Sequence, residues 1–167
     1  SNLYDLIRPL RAKSLGVAKA IVILNPQDIP HAVWQRISAF EGIFFVRGTA
    51  LDDNDLRRAG IFRATQVVVL ADSEAVMVVE KLIVGDKAML DADTIFSLAA
   101  VRRLNERAHT VVEIVKHENI AYLDPDAVSS DEGDYRFTAH FAAGTLFTTS
   151  MLDTLACQVN SWCTTYI

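Results

Sequence analysis

The stretch VAKAIVILNPQDIPHAVW, residues 17–34, decides the fold class. Its run AIVIL is wholly apolar and rich in β-branched residues, which predicts a buried strand over residues 19–24. After Pro26, apolar residues recur from Ile29 at the i, i+4, i+8 and i+11 positions, the spacing of an amphipathic helix over residues 28–40. The stretch therefore predicts the strand, turn and helix that open a parallel α/β sheet.

The same alternation continues along the chain. Apolar runs predict further strands, and turn or cap residues separate them from helices that include TIFSLAAVRRLN, which begins after Asp91 or Asp93. Strands that are apolar throughout indicate a sheet that is covered on both sides. The predicted strands lie at 43–46, 66–71, 110–115 and 135–138. A short helix ends at Gly60, and further helices cover 117–123 and 141–158. Residues 73–90 fit either a broken helix or a long loop. The fold class predicted is α/β, a Rossmann-like doubly wound parallel sheet with helices on both faces.

The turn after the first strand lacks the glycines of a dinucleotide site. Its sequence is NPQDIP, in which Pro26 and Pro30 remove backbone donors and Asp28 would repel a phosphate. The second strand ends in Arg47, and no acid for the ribose hydroxyls follows until Asp52. The sequence therefore predicts that no dinucleotide or other cofactor is bound at this edge of the sheet.

Composition narrows the class of protein further. The chain has 167 residues, is 51% hydrophobic and carries a formal charge of −5, so it is long enough for a real core and has no basic excess for nucleic acid. Its two cysteines, Cys157 and Cys163, are typical of reduced thiols in a domain of this size. The longest uncharged stretch, residues 137–152, is shorter than the roughly 20 apolar residues of a membrane-spanning helix.

The sequence contains no motif that indicates catalytic residues. Ser150, His140 and Asp153 lie near one another in the sequence, but no GxSxG nucleophile elbow surrounds the serine. Asp153 is more simply a residue on the face of a helix. We therefore predict that the chain is not an enzyme.

Two groups of residues are candidate metal ligands. His109, Glu113 and His117 fall on one face of a predicted strand, but a strand places each of them roughly 13 Å from the next, too far for the three to share one ion. Residues 124–134, DPDAVSSDEGD, form an acidic loop whose oxygens suit a hard cation such as Ca²⁺. Its spacing is not that of an EF-hand, and on spacing alone a solvated surface loop is favoured.

Three segments together carry a family resemblance. VRGTALDDNDLRRAGIFRATQVVVLAD, residues 46–72, resembles the RCK (TrkA-N-like) regulatory domains of potassium channels and transporters. Residues 91–124 and YRFTAHFAAGTLFTTSMLDTLACQ, residues 135–158, resemble the branch of Slo/BK-type calcium-activated potassium channels. The lead-in LIRPLRAKS, residues 6–14, is similar to the segment that enters the second of two tandem RCK domains in that family.

The resemblance implies a role for the acidic loop. It places the loop where the calcium bowl of second RCK domains lies, although the bowl's unbroken run of aspartates is absent. Asp131 matches one of the bowl's two side-chain ligand positions, and Ser129 occupies the other. The candidate metal residues are accordingly Asp131 with Asp126 and Asp134, with Ca²⁺ as a regulatory ligand. A sodium-sensing or ligand-insensitive relative remains an open alternative.

The resemblance also implies partners. It predicts a cytosolic domain that assembles with other RCK domains of the same homotetrameric channel into a gating ring and couples ion binding to pore opening through a linker. Predicted domain bounds are a basic lead-in linker at 1–16, the RCK lobe at 17–158 and a following segment at 159–167. The predicted assembly residues lie on the last predicted helix: Phe141, Leu146, Phe147, Met151 and Leu155. The alternative function is a small-ligand or nucleotide-binding module of a TrkA-like transporter.

Overall fold

The computed structural model of the chain describes residues 3–11, 19–71, 91–123 and 139–148. Helices and strands alternate along these residues. The helices are α1 (Leu3–Leu10), α2 (His31–Ile37), α3 (Asp53–Arg58), α4 (Ala92–Leu104) and α5 (Ala139–Ala142). The strands are β1 (Ile21–Asn25), β2 (Ile43–Arg47), β3 (Gln66–Val69), β4 (His109–Ile114) and β5 (Leu146–Thr148), and two 3₁₀ helices span Ile61–Arg63 and His117–Tyr122.

All pairings between the described strands are parallel. β1 pairs with β2, while β3, β4 and β5 form a three-stranded sheet with β4 in the centre. Helices lie on both faces of β1–β2. Neighbouring residues of a strand point to opposite sides, so contacts made by alternate residues show which helices cover each face. On one face the Trp34 ring of α2 lies 6.3 Å from the Phe45 ring of β2, and on the other Leu24 packs against α3 and α4. The predicted Rossmann-like α/β class is confirmed.

Two hydrophobic clusters form the core. One lies between α4, β4, β5 and the second 3₁₀ helix and contains Leu98, Val112, Ile114, Ile120, Leu123 and Leu146. The other contains Leu56, Ile61, Ala100 and Val101. Leu24 of β1 and Val67 of β3 both pack against this second cluster, so it joins the two-stranded sheet to the three-stranded one.

The prediction of one continuous helix over residues 141–158 is wrong at residues 146–148. Gly144, with φ of 65°, stands just past α5, and the chain then enters β5. The Val112 amide donates to the Thr145 carbonyl at 2.9 Å, which starts the parallel pairing of β5 with β4. Leu146 is buried in the core and Phe147 is half-buried. The predicted strand at 135–138 and the open stretch 73–90 lie outside the described residues.

Candidate functional site

The carboxyl ends of β1 and β2 form the edge at which a Rossmann-like sheet binds a dinucleotide. Here the last residue of β1 holds the turn that follows it, since the Asn25 side-chain amide donates to the Gln27 carbonyl at 2.8 Å. The Asp28 carboxylate lies 3.5 Å from the Arg47 guanidinium, and the two side chains are 72% and 69% exposed. An acid in the first turn and a base at the end of the second strand reverse the charge pattern of a dinucleotide site.

The turn between β2 and α3 shows why the family pattern GTALDDNDLRRAGI has its spacing. The Asp55 carboxylate accepts hydrogen bonds from the Thr49 amide at 3.0 Å and from Arg58 at 2.7 Å. It lies so close to Gly48 that a methyl group there would place its Cβ 2.5 Å from the Asp55 Cγ. Asp52 caps α3 by accepting from the Asn54 amide at 2.8 Å.

The end of the same pattern closes α3 and enters the core. Leu56 and Ile61 are both buried in the second hydrophobic cluster. Gly60 lies between them with φ of 84°, a left-handed conformation that glycine adopts without steric cost. Gly60 was predicted to close this helix as its C-terminal cap; the C-cap residue itself is Ala59, and Gly60 follows it in the left-handed conformation typical of the position just past a helix end.

A buried carboxylate organises the turn after β4. Asp91 is fully buried, and its carboxylate accepts hydrogen bonds from the Val115 amide at 2.8 Å, the Lys116 amide at 3.0 Å and the Asn119 side chain at 2.7 Å. Asp91 precedes α4, as predicted, but makes no side-chain hydrogen bond that caps this helix. No local pattern predicts this role, because the partners lie 24 to 28 residues further along the chain.

The chain that leads to the acidic loop is fixed at a second point. Arg102 of α4 donates to the Leu123 carbonyl at 3.2 Å, and Leu123 is itself buried in the core. Leu123 is the last described residue before the loop. The candidate metal residues Asp126, Asp131 and Asp134 lie outside the described residues, but the chain is held firmly just ahead of them.

The two histidines near β4 belong to different elements of the structure. His109 and Glu113 share one face of β4, as predicted, whereas His117 begins the following 3₁₀ helix. The Glu113 carboxylate accepts a hydrogen bond from the Ala71 amide at 3.1 Å and so ties β4 to the end of β3. Within the four described ranges, no three His, Cys, Asp or Glu side chains come together as a metal site.

The predicted assembly residues do not all lie on one helix. Phe141 lies in α5, while Leu146 and Phe147 lie in β5. Met151 and Leu155 lie outside the described residues, as do Ser150 and Asp153 of the rejected triad. Within the described part of the chain, no helix is both long and apolar enough to cross a membrane.

The family model of the calcium-activated potassium channel slowpoke-like RCK domain matches residues 1–112. The chain belongs to the Slo-like RCK family. The match contains the GTALDDNDLRRAGI turn and ends before the acidic loop. It favours the Slo-like assignment over the transporter-type module that was the predicted alternative. The family is one of ion-channel regulatory domains.

Relatives of this RCK domain include two channels. Potassium channel subfamily T member 1 of Gallus gallus is 29% identical over 176 residues, which cover 95% of this chain. The calcium-activated potassium channel slowpoke of Drosophila melanogaster is 25% identical over 189 residues, which cover 92% of this chain. The matched regions are 14% and 15% of the lengths of these two relatives, so this chain corresponds to a small part of each.

A solved structure shares the fold of the RCK domain. It is the human SLO3 gating ring, with a TM-score of 0.72 and 22% sequence identity, over 94% of this chain and 27% of that chain. At this identity the likeness establishes the fold. Together with the family match, it confirms the resemblance to Slo-like RCK domains, while the likeness to the second of two tandem domains stays a prediction.

Proposed function

We propose that this domain is a cytosolic sensing and assembly unit in the gating ring of a Slo-like potassium channel, where it couples ion binding to pore opening. The observation that carries this proposal is the Slo-like RCK family match over residues 1–112. The fold shared with the SLO3 gating ring supports a place within a ring. The reversed charges of Asp28 and Arg47 argue against a dinucleotide at this sheet edge and so favour the channel role over a nucleotide-binding module.

The mechanism is a shift between two arrangements of the ring. A ligand changes the balance between arrangements only by binding one of them more tightly than the other. The domain therefore needs an ion site and a surface that contacts neighbouring domains. In this proposal the acidic loop supplies the first, and residues around α5 and β5 supply the second.

The proposed ligand is Ca²⁺, held by Asp131 with Asp126 and Asp134. The family description and the name of the Drosophila relative both refer to calcium activation. A loop that senses an ion must also transmit its state to the core. Arg102 bonded to Leu123, together with the Asp91 hydrogen bonds to the turn after β4, provides that connection ahead of the loop.

The proposed assembly surface consists of Phe141, Phe147, Met151 and Leu155. Leu146 was predicted with them, but its side chain packs in the chain's own core with Val112 and Ile114. We therefore assign Leu146 to the core. The neighbouring Phe147 is half-buried and is the described side chain that best tests the surface.

Calorimetric titration with CaCl₂ tests the ion site. Because Ser129 replaces one bowl ligand, we expect weak binding, with a dissociation constant of about 10⁻⁵ to 10⁻³ M. Asp131→Ala should remove the signal. Asp93→Ala is the matched control, since Asp93 is an exposed carboxylate on α4, and it should bind like the wild type. Equal binding by wild type and Asp131→Ala would reject Asp131 as a calcium ligand. A binding signal with NaCl alone would identify a sodium sensor.

A further inference from the structure

Helix α1 is packed against the body of the domain. Ile7 is 1% exposed, and the Tyr4 ring lies 6.1 Å from the Phe40 ring. The guanidinium carbon of Arg36, on α2, lies 4.0 Å from the centre of the Tyr4 ring, within the range of a cation–π contact. The lead-in that the sequence suggested as a linker thus contains a helix that is anchored by apolar and aromatic contacts.

Arg11, directly after α1, bridges the starts of two strands. Its Nη2 donates to the Lys19 carbonyl at 2.7 Å, and its Nε donates to the Glu41 carbonyl at 3.2 Å. Lys19 stands just ahead of β1, and Glu41 stands just ahead of β2. Because the guanidinium group is planar and its donors point in fixed directions, a single side chain sets the spacing of the two segments.

The first hydrogen bond between β1 and β2 lies at the same place. The Ile21 amide donates to the Gly42 carbonyl at 2.8 Å, and the Arg11 Nη2 is 3.5 Å from the same carbonyl oxygen. Gly42 has φ of 70°, a conformation that an alanine would adopt only under strain. Arg11 therefore contacts the peptide groups that begin the β1–β2 pairing.

We propose that α1 is a lever that Arg11 clamps to the starts of β1 and β2. A displacement of α1 changes the pairing of the two strand starts, and loosening of the strand starts releases α1. Coupling between two parts of a protein is reciprocal, so each part must respond to a change in the other. This device goes beyond the proposed function, since it requires no ligand and gives the lead-in a mechanical role.

Amide hydrogen exchange, followed by NMR on the full 167-residue chain, tests the lever. The Ile21 amide reports the strand starts, and the Ile7 and Leu10 amides report α1. In Arg11→Ala we expect exchange about tenfold faster at all three amides, because the side chain that joins the two parts is gone. Arg8→Ala is the matched control, since it removes the same charge from α1, and it should leave Ile21 unchanged.

The reciprocal variant is Gly42→Ala, which disturbs the strand starts. It should accelerate exchange at Ile7 and Leu10, although it lies far from them in sequence. Arg11→Lys keeps the charge but loses the fork, and it replaces Arg11→Ala if that variant does not fold. The proposal is overturned if the Arg11 variant affects α1 alone, if Arg8→Ala affects Ile21 equally, or if Gly42→Ala leaves α1 protected.

Discussion

The Asp55 carboxylate lies directly against Gly48, in the space that any larger side chain at that position would need. This contact allows Asp55, on α3, to accept a hydrogen bond from the Thr49 amide at the end of β2. The close approach fixes the angle at which the chain leaves the sheet and enters α3. It gives a physical reason for the glycine and the aspartate seven residues apart in the family pattern.

We predict that Gly48→Ala lowers the free energy of unfolding by about 1–3 kcal/mol, the usual effect of forcing extra volume into a packed site. Asp55 must move away from the new methyl group and lose its bond to Thr49. Thermal or urea unfolding measures the change. In the double variant Gly48→Ala/Asp55→Ala, the new methyl group no longer overlaps the Asp55 carboxylate. The double variant should therefore lose less free energy of unfolding than the two single variants lose together. Strict additivity would contradict this account of the turn.

We predict that Asp91→Asn is among the most destabilising single-atom changes in the described core, with a loss of about 2–3 kcal/mol. The amide NH₂ of the new residue would face a donor where the carboxylate now accepts from Val115, Lys116 and Asn119. Urea unfolding measures the loss. Asp93→Asn, on the exposed side of α4, is the control and should change stability by less than about 0.5 kcal/mol. Equal effects would show that Asp91 is not the centre of this network.

We predict that Leu146 and Phe147 separate core from surface. Leu146→Ala should destabilise the domain by about 2–5 kcal/mol, since it empties a site between Val112 and Ile114. Phe147→Ser should leave most of the stability intact and weaken self-association. Urea unfolding and sedimentation velocity measure the two properties. Self-association unchanged in Phe147→Ser would remove Phe147 from the proposed assembly surface.

Much of the fold could be predicted because it depends on short-range patterns. The apolar run of β1 and the β-branched run of β4 are strands as expected. Gly60 ends α3 because its left-handed backbone conformation is a local property. The absence of a glycine-rich turn after β1 can also be predicted from residue types alone.

Other features depend on partners that are distant in the sequence. Residues 146–148 lie in a predicted helix, but pairing with β4 makes them a strand, since tertiary contacts override weak local preferences. Asp91 looked like a helix cap, and only the fold brings the turn after β4 to its carboxylate. The docking of α1 through Arg11 likewise depends on carbonyls up to 31 residues away.

We predict that neither NADH nor NAD binds with micromolar affinity. Asp28 stands in the turn where a pyrophosphate would need backbone donors, and Arg47 replaces the acid that would bind the ribose. Calorimetric titration checks this, with Asp28→Asn as a variant that removes the repulsion but restores no glycine turn. Saturable binding to the wild type would move the protein toward the transporter-type regulators.

The central claim is that ion binding and domain assembly are coupled. Sedimentation velocity of the 167-residue chain across a CaCl₂ titration tests it most directly, with wild type and Asp131→Ala at matched concentrations. We predict that Ca²⁺ shifts the self-association of the wild type over the same concentrations at which it binds, about 10⁻⁵ to 10⁻³ M, and that Asp131→Ala does not respond. Calcium binding that leaves self-association unchanged, or an equal shift in both proteins, would contradict the claim.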